Sequence, residues 1–261
     1  VLVVGSAQSG YQITEELLAA GRPVTLATSR TGRAPARHRG RDTVEWLVEL
    51  GFFDQRPQDL PDPSVIDAPQ PLLAPGGRSA SLQTLARSGA VLAGRLIAVD
   101  GPRVRFDDSV PANIAAADAF ANRIRAMLDR AIGDTAPPAH ADDADAPVAL
   151  DPPQTLDLHA AGITSVVWCT GYRGDFSWLC TGLTDAEGRP VRDGTAARAP
   201  GVWYVGLRWL TRRSSGNFLG FPADAAAVAD AVVTHLGATG RVGPARRRTP
   251  ASRPDRGGLP R

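Results

Sequence analysis

The chain begins with four consecutive aliphatic residues, Val1-Leu2-Val3-Val4, which run directly into the turn Gly5-Ser6-Ala7-Gln8-Ser9-Gly10. A short run without polar alternation predicts a strand buried on both faces. From Ser9 onward Ile13, Leu17 and Leu18 recur at helical spacing, and Gly21 stands where such a helix would end. Pro23 to Ala27 predicts a second strand, so the opening reads strand, glycine turn, helix, strand.

Further along, Asp42 to Leu50 predicts a short amphipathic helix carrying Trp46 and Leu47 and closed by Gly51. Residues 54–78 read as a proline-rich loop, and Ser81 as the cap of a helix ending near Gly89. Val91 to Val99 and Arg103 to Phe106 flank Asp100-Gly101 and predict a β-hairpin. Residues 112–132 predict a long helix with Ile114, Ala117, Phe120, Ile124, Met127 and Leu128 along one face. An Ala/Asp/Pro linker follows over 133–153, then a buried strand at Ile163 to Cys169 leading into Thr170-Gly171-Tyr172. Gly201 to Leu207 predicts another strand, and Pro222 to about Leu236 a last helix.

The opening pattern brings in chemistry. The first turn of a helix presents unpaired N–H groups and the positive end of its dipole, so Gly5, Ser6, Ala7, Gln8, Ser9 and Gly10 form a candidate pyrophosphate cradle. In such a unit the first glycine makes the tight turn and the last lets helix and strand pack closely. The middle position departs from the pattern: Ala7 stands where glycine is usual, and its methyl narrows the approach of a phosphate. At the end of the second strand an NAD site carries an acid for the ribose 2′-hydroxyl. This chain has Thr28-Ser29-Arg30 there, a hydroxyl and a guanidinium suited to a 2′-phosphate. Arg33, Arg37, His38, Arg39 and Arg41 follow within one loop. The reading is NADP(H) recognition, and the alternative is a solvated basic loop.

Composition narrows the classes. The chain has 261 residues, 43% of them hydrophobic, and a formal net charge of +2. All 29 basic residues are Arg, so lysine-dependent chemistry is excluded: no Schiff base, no P-loop, no Tyr-x-x-x-Lys dehydrogenase. Residues 241–261 hold seven Arg and one Asp among Pro and Gly; the segment reads as a disordered, solvated extension rather than a nucleic-acid contact. Cys169 and Cys180 lack C-x-x-C spacing and read as reduced thiols of a cytoplasmic protein. The four His are scattered, which gives no metal-ligand spacing. No apolar run reaches membrane-spanning length.

Three separated motifs in order, Gly5 to Gly10 with Ser29-Arg30, then Thr170-Gly171-Tyr172, then Ser215-Gly216 ahead of the last helix, resemble the flavin-containing monooxygenase-like oxidoreductases. The resemblance covers about residues 1–238. It implies an α/β fold with two dinucleotide-binding domains. Residues 1–165 would be the Rossmann-like NADP(H) domain with a hairpin and helical insertion, and 166–240 the C-terminal portion of an FAD domain. The implied cofactor-binding residues are Gly5, Ser6, Ala7, Gln8, Ser9, Gly10, Ser29, Arg30, Arg37, Thr170, Gly171, Tyr172, Ser215 and Gly216. The implied activity is hydride transfer from NADPH to FAD, then oxygenation of a small-molecule substrate, with no catalytic side chain nominated. An FAD glycine motif and a Phe-x-Gly-x-x-x-His fingerprint, which precede the NADPH motif in that family, do not occur in the sequence. The chain is therefore expected to be an N-terminally truncated form that binds FAD weakly or not at all by itself. A flavin-linked reductase without oxygen transfer and a non-catalytic NADP(H)-binding module are the alternatives. A C-terminal segment parted from the strands it normally joins should expose sheet edges and apolar surface, which would favour a homo-oligomer.

Overall fold

A computed structural model describes residues 1–73, 80–133, 146–180 and 182–238. The chain divides into two units, the first Val1–Gly174 and the second beginning at Asp175. The boundary expected after residue 165 lies further on, because Val166–Trp168 is a strand of the first unit's main sheet. The expected linker over 133–153 lies partly outside the described residues, and the Arg-rich stretch 241–261 lies wholly outside them.

The first unit is built on a four-stranded parallel sheet formed by β1 (Leu2–Val4), β2 (Thr25–Ala27), β5 (Val91–Ala93) and β9 (Val166–Trp168), in the order β5-β2-β1-β9. Helix α1 (Gln8–Ala19) connects β1 to β2, and α3 (Leu82–Arg87) precedes β5. Between them lie the two-residue strands β3 (Arg37–His38) and β4 (Arg41–Asp42) and helix α2 (Thr43–Glu49). From β5 the chain passes through β6 (Leu96–Asp100), β7 (Arg103–Phe106), helix α4 (Val110–Ile132) and β8 (Thr155–Asp157) before returning as β9. The first three parallel strands thus step outward and the fourth returns to the far side of β1, the order of one Rossmann-like half. The order reverses between β1 and β9, and in open parallel sheets ligands bind at the C-terminal ends of the strands that flank such a point.

Strand register explains why the opening aliphatic run has no polar alternation. Val3, Leu26 and Leu92 stand side by side and pack with Tyr11, Leu82, Leu85 and Val110 on one face. Leu2 and Val4, with Ala27 and Ala93, pack against Val104 and Phe106 on the other. Both faces are covered, so every position must be apolar. A third cluster, Trp46, Leu47, Ile124, Leu128 and Ile132, fixes α2 to α4. The cap expected at Ser81 is in place, its hydroxyl accepting the Thr84 N–H at 3.0 Å, and Asp42 caps α2 by accepting the Val44 N–H at 2.7 Å.

The stretch Val91 to Val99 is two strands, not one. Val91–Ala93 pairs with β2 in parallel, while Leu96–Asp100 pairs with β7 in an antiparallel meander. The break is at Gly94, where a Cβ would collide with the Asp107 carbonyl. Asp100 pairs with Arg103, so the hairpin turns through Gly101-Pro102, one residue later than expected. The open end of the hairpin, opposite that turn, is held by Asp107, whose Oδ1 accepts the N–H groups of Arg95 at 2.7 Å and Ser109 at 3.1 Å. The Ser109 hydroxyl is the chief influence holding the Asp107 carboxyl below its ordinary 3.8, and the two N–H groups add to it. A carboxyl depressed in the folded state contributes stability above its unfolded value and loses it as pH falls through the folded value. We expect wild-type stability to fall on acidification below about pH 3.8, and less so in Asp107→Asn, in urea midpoints taken between pH 5 and 2.

In the second unit β10 (Arg192–Asp193) and β11 (Ala196–Ala197) form a small hairpin, and α5 (Phe221–Ala238) is the long helix. The strand expected at Gly201 to Leu207 is absent; Trp203 makes only an isolated bridge to Ala196. Strand conformation needs a ladder partner for its N–H and C=O groups, and the neighbour here, β11, is two residues long: it supplies the Ala197 N–H to the Val202 carbonyl at 3.0 Å, beside the Tyr204 N–H to the Thr195 carbonyl at 2.8 Å, which is too short a ladder for a strand over 201–207. Trp178, Phe218, Leu219 and Val233 are exposed, and the one residue of α5 that is buried is Asp224. Apart from Asp224, the residues of α5 are exposed or partly exposed.

Candidate functional site

The site is built at the C-terminal end of β1. Gly5 leaves the strand with φ +101°, and its N–H donates to the Ala27 carbonyl at 2.9 Å. A Cβ on Gly5 would run into the Cys169 carbonyl, and one on Gly10 would run into the carbonyl of Gly5. Both glycines are therefore required by the protein's own backbone: β1, the turn and the residue after β9 approach too closely for a side chain. The Thr170 amide lies 3.5 Å from the Cβ position of Gly5, so the Thr170-Gly171 stretch borders the turn. Tyr172, two residues on, is fully exposed.

The start of α1 has no internal cap. Ala7 occupies the N-cap position and offers no side-chain acceptor, and the first turn holds no acidic residue. The N–H groups of Ala7, Gln8, Ser9 and Gly10 find no acceptor among the described residues. Ala7, which in the sequence only narrows the approach, is thus also the reason these donors are unsatisfied. The Gln8 side chain lies across the loop instead of capping: its Nε2 donates to the Leu73 carbonyl at 2.8 Å and its Oε1 accepts the Leu73 N–H at 3.0 Å.

Ser6 and Ser29 join the turn to the end of β2. The Ser29 N–H donates to the Ser6 hydroxyl at 2.9 Å, and that hydroxyl donates to the Ser29 carbonyl at 3.1 Å. Arg30 follows, exposed, with no partner among the described residues. The rest of the basic run is occupied within the protein. Arg33 is fully buried and pairs with Asp118 of α4 at 2.9 Å. His38 Nε2 lies 2.7 Å from Asp129, which Arg39 also approaches at 3.8 Å. Arg41 pairs with Glu49 at 2.8 Å and stacks over Trp46. Arg37 is exposed but turns back to the Gly40 carbonyl of its own hairpin. A run of cations that reads as one patch in the sequence is divided by the fold: Arg33, His38, Arg39 and Arg41 go to carboxylates of the protein, Arg37 to its own hairpin, and Arg30 is left exposed without a partner among the described residues.

Several residues that shape this end of the sheet were not singled out by motif. The Thr28 hydroxyl donates to the Ala93 carbonyl at 2.8 Å and accepts Asn113 Nδ2 at 3.0 Å. Gln83 donates to the second oxygen of Asp118 at 2.9 Å. One sequence signal was available: Asn113 falls on the same helical face as Ala117, Ala121, Ile124 and Leu128, and a polar residue on a buried stripe requires a polar partner. Cys169 lies beneath the turn, and burial raises its thiol above the ordinary value, which disfavours the reactive thiolate.

Ser215 and Gly216 belong to the second unit. The buried Ser215 hydroxyl accepts the N–H groups of Thr211 and Arg212, both at 3.1 Å, and Gly216 turns with φ +85°. Arg192 donates to the carbonyls of Leu210 at 3.0 Å and Trp209 at 3.1 Å, and burial lowers its guanidinium, with Asp224 acting the other way. Arg213 is half-buried, its guanidinium over the Trp209 ring at 4.6 Å. Among the described residues no group of His, Cys, Asp and Glu is placed to hold a metal ion. No helix there is long and apolar enough to cross a membrane.

No family model matches the chain. Part of it is similar to curated proteins. An uncharacterized oxidoreductase CzcO-like of Geobacillus kaustophilus is 30% identical over 74 residues, 28% of this chain and 21% of that protein. The uncharacterized oxidoreductase CzcO of Bacillus velezensis is 29% identical over 70 residues, 26% of this chain and 20% of that one. Its counterpart in Bacillus subtilis is 30% identical over 70 residues, covering 26% and 20% respectively. The chain therefore spans about a fifth of the length of the curated relatives it matches, and each of them is named an oxidoreductase.

Proposed function

We propose that this chain is the NADP(H)-binding portion of an NADPH-dependent flavoprotein oxidoreductase of the flavin-containing monooxygenase type. The observation that carries the nucleotide reading is the uncapped start of α1, set by two glycines that admit no Cβ at the switch point of a parallel sheet. Unsatisfied donors at the positive end of a helix suit a pyrophosphate. Gly5 to Gly10 would hold that group, and Ser29 and Arg30, at the end of β2, the 2′-phosphate. The bound nucleotide supplies a hydride, and the protein's part is to orient it and shield it from water. The names of the curated relatives support the oxidoreductase assignment.

FAD fits the described residues less well. A second adenine dinucleotide needs a second glycine turn leading from a strand into a helix. The start of α5 instead carries buried Asp224, and at the start of α4 Asp107 already accepts the Ser109 N–H. Ser215 and Gly216 would form at most one wall of a flavin site, and no step is assigned to them. The second reading, a non-catalytic NADP(H)-binding module, draws on the same absence of a second cradle among the described residues.

The test is a titration of the purified chain with NADPH and NADH, followed by nucleotide fluorescence. NADPH is expected to bind about tenfold or more tightly, and Arg30→Ala to remove most of that difference while leaving NADH affinity nearly unchanged. Equal affinities in the wild type would remove the case for Ser29 and Arg30. A flavin absorption band at full occupancy in the purified chain would reverse the conclusion about FAD.

A further inference from the structure

The loop that follows β2 is braced by α4, a helix from a distant part of the chain. Asn113 holds Thr28, the residue before Ser29. Gly32, two residues after Arg30, lies against the Phe120 ring so closely that a Cβ would come within 2.7 Å of it. Arg33 then inserts its fully buried guanidinium toward Asp118, donating from Nε at 2.9 Å and pairing through a second nitrogen at 2.9 Å. The other Asp118 oxygen accepts Gln83 Nε2 at 2.9 Å, so the carboxylate is itself oriented. The same loop is stitched to residue 72 by the Leu72 N–H to the Gly32 carbonyl at 2.8 Å and the Ala34 N–H to the Leu72 carbonyl at 3.0 Å. Leu73 is in turn clasped by Gln8 in the first turn of α1. The loop that carries Ser29 and Arg30 is therefore tied to α4 and to residue 72, whereas the start of α1 is reached from this side only through the Gln8 side chain, not through its backbone donors.

We propose that Asp118 is the positioning residue that sets nucleotide selectivity: by anchoring Arg33 it fixes the loop that carries Ser29 and Arg30 at the distance from the α1 turn that a 2′-phosphorylated nucleotide requires. It acts through Arg33 and touches no ligand itself. A buried guanidinium has one low-energy place, beside its carboxylate, so the backbone three residues from Arg30 is fixed in position. A bidentate contact to phosphate is sensitive to such placement, whereas the pyrophosphate contacts at Gly5 to Gly10 are made by backbone on the other side of the turn.

This inference rests on the NADP(H) reading, and one experiment separates the two. Affinities for NADPH and NADH are measured for the wild-type chain, Asp118→Asn and Asp118→Glu. Asp118→Glu keeps the charge and lengthens the side chain by one methylene, so it decides the matter if Asp118→Asn does not fold. The expected result is that the NADPH-to-NADH preference falls by about tenfold in each folded variant while NADH affinity changes by less than about twofold. A merely structural role would weaken both nucleotides together, and that outcome, or an unchanged preference, would overturn the proposal. A wild-type chain without preference would defeat the NADP(H) reading and this inference with it; a wild-type preference kept by the variants would defeat the inference alone.

Discussion

Gly10→Ala is expected to lose dinucleotide binding by at least about 100-fold and to cost the first unit about 1–3 kcal/mol of stability. The alanine methyl would occupy the place of the Gly5 carbonyl oxygen and stand 3.3 Å from the Cys169 side chain. Neither neighbour can yield easily: one is backbone in a tight turn, and the other follows the last strand of the main sheet. The start of α1 must therefore move away from β1, which carries the donors of Ala7 to Gly10 out of register with a pyrophosphate. Gly21→Ala is the control, since nothing lies within 4 Å of its Cβ position. Its cost is backbone strain at φ +70°, about 1 kcal/mol, with binding unchanged. NADPH titration and urea unfolding of both variants measure the two effects. A folded Gly10→Ala chain that binds NADPH as tightly as wild type would show that the turn is not the phosphate site.

Leu26→Ala is expected to destabilise the first unit by about 3 kcal/mol, the middle of the range for a buried leucine truncated beside neighbours that cannot close in. Leu26 is fully buried between Val3 and Leu92 on the helix-covered face of the sheet. Its neighbours are anchored by parallel hydrogen-bonding on both sides of β2, so the cavity persists. Because Ser29 and Arg30 leave the end of the same strand, NADPH affinity is expected to fall with stability. Ile97→Ala, on the half-exposed strand β6, is expected to cost less than about 0.5 kcal/mol. Urea midpoints of the pair measure the contrast; equal losses would mean that the parallel sheet is not the core that supports the site.

Much of the first unit was legible because the signals are local. The aliphatic run of β1, the cap at Ser81, the Asp42–Gly51 helix and the stripe along α4 each depend on residues within a few turns of one another. The strands that the pattern predicts and the fold does not form fail for a non-local reason. Val91 to Val99 has one continuous strand pattern, but the Asp107 carbonyl at Gly94 and the two different partners on either side split it between sheets. Gly201 to Leu207 has strand composition, and composition cannot supply the neighbouring ladder that a strand requires. Likewise Arg33, Arg37, His38, Arg39 and Arg41 form one patch in one dimension. Which of them face inward depends on Asp118 and Asp129, more than eighty residues away in sequence.

The sequence by itself determined the strand–turn–helix opening, the need for glycine at positions 5 and 10, the lack of an acid after β2, and the absence of lysine chemistry. Each follows from the conformational limits of individual residues or from their charge. Tertiary structure alone decided that Val166–Trp168 completes the parallel sheet, that Arg30 stays without a partner among the described residues while Arg33 turns inward, and that α4 holds their loop in place. Those outcomes depend on burial and pairing between distant segments, where the cost of an unpaired buried charge or backbone group selects one arrangement. Short-range pattern encodes the cradle; long-range ion pairing sets what the cradle is positioned to hold.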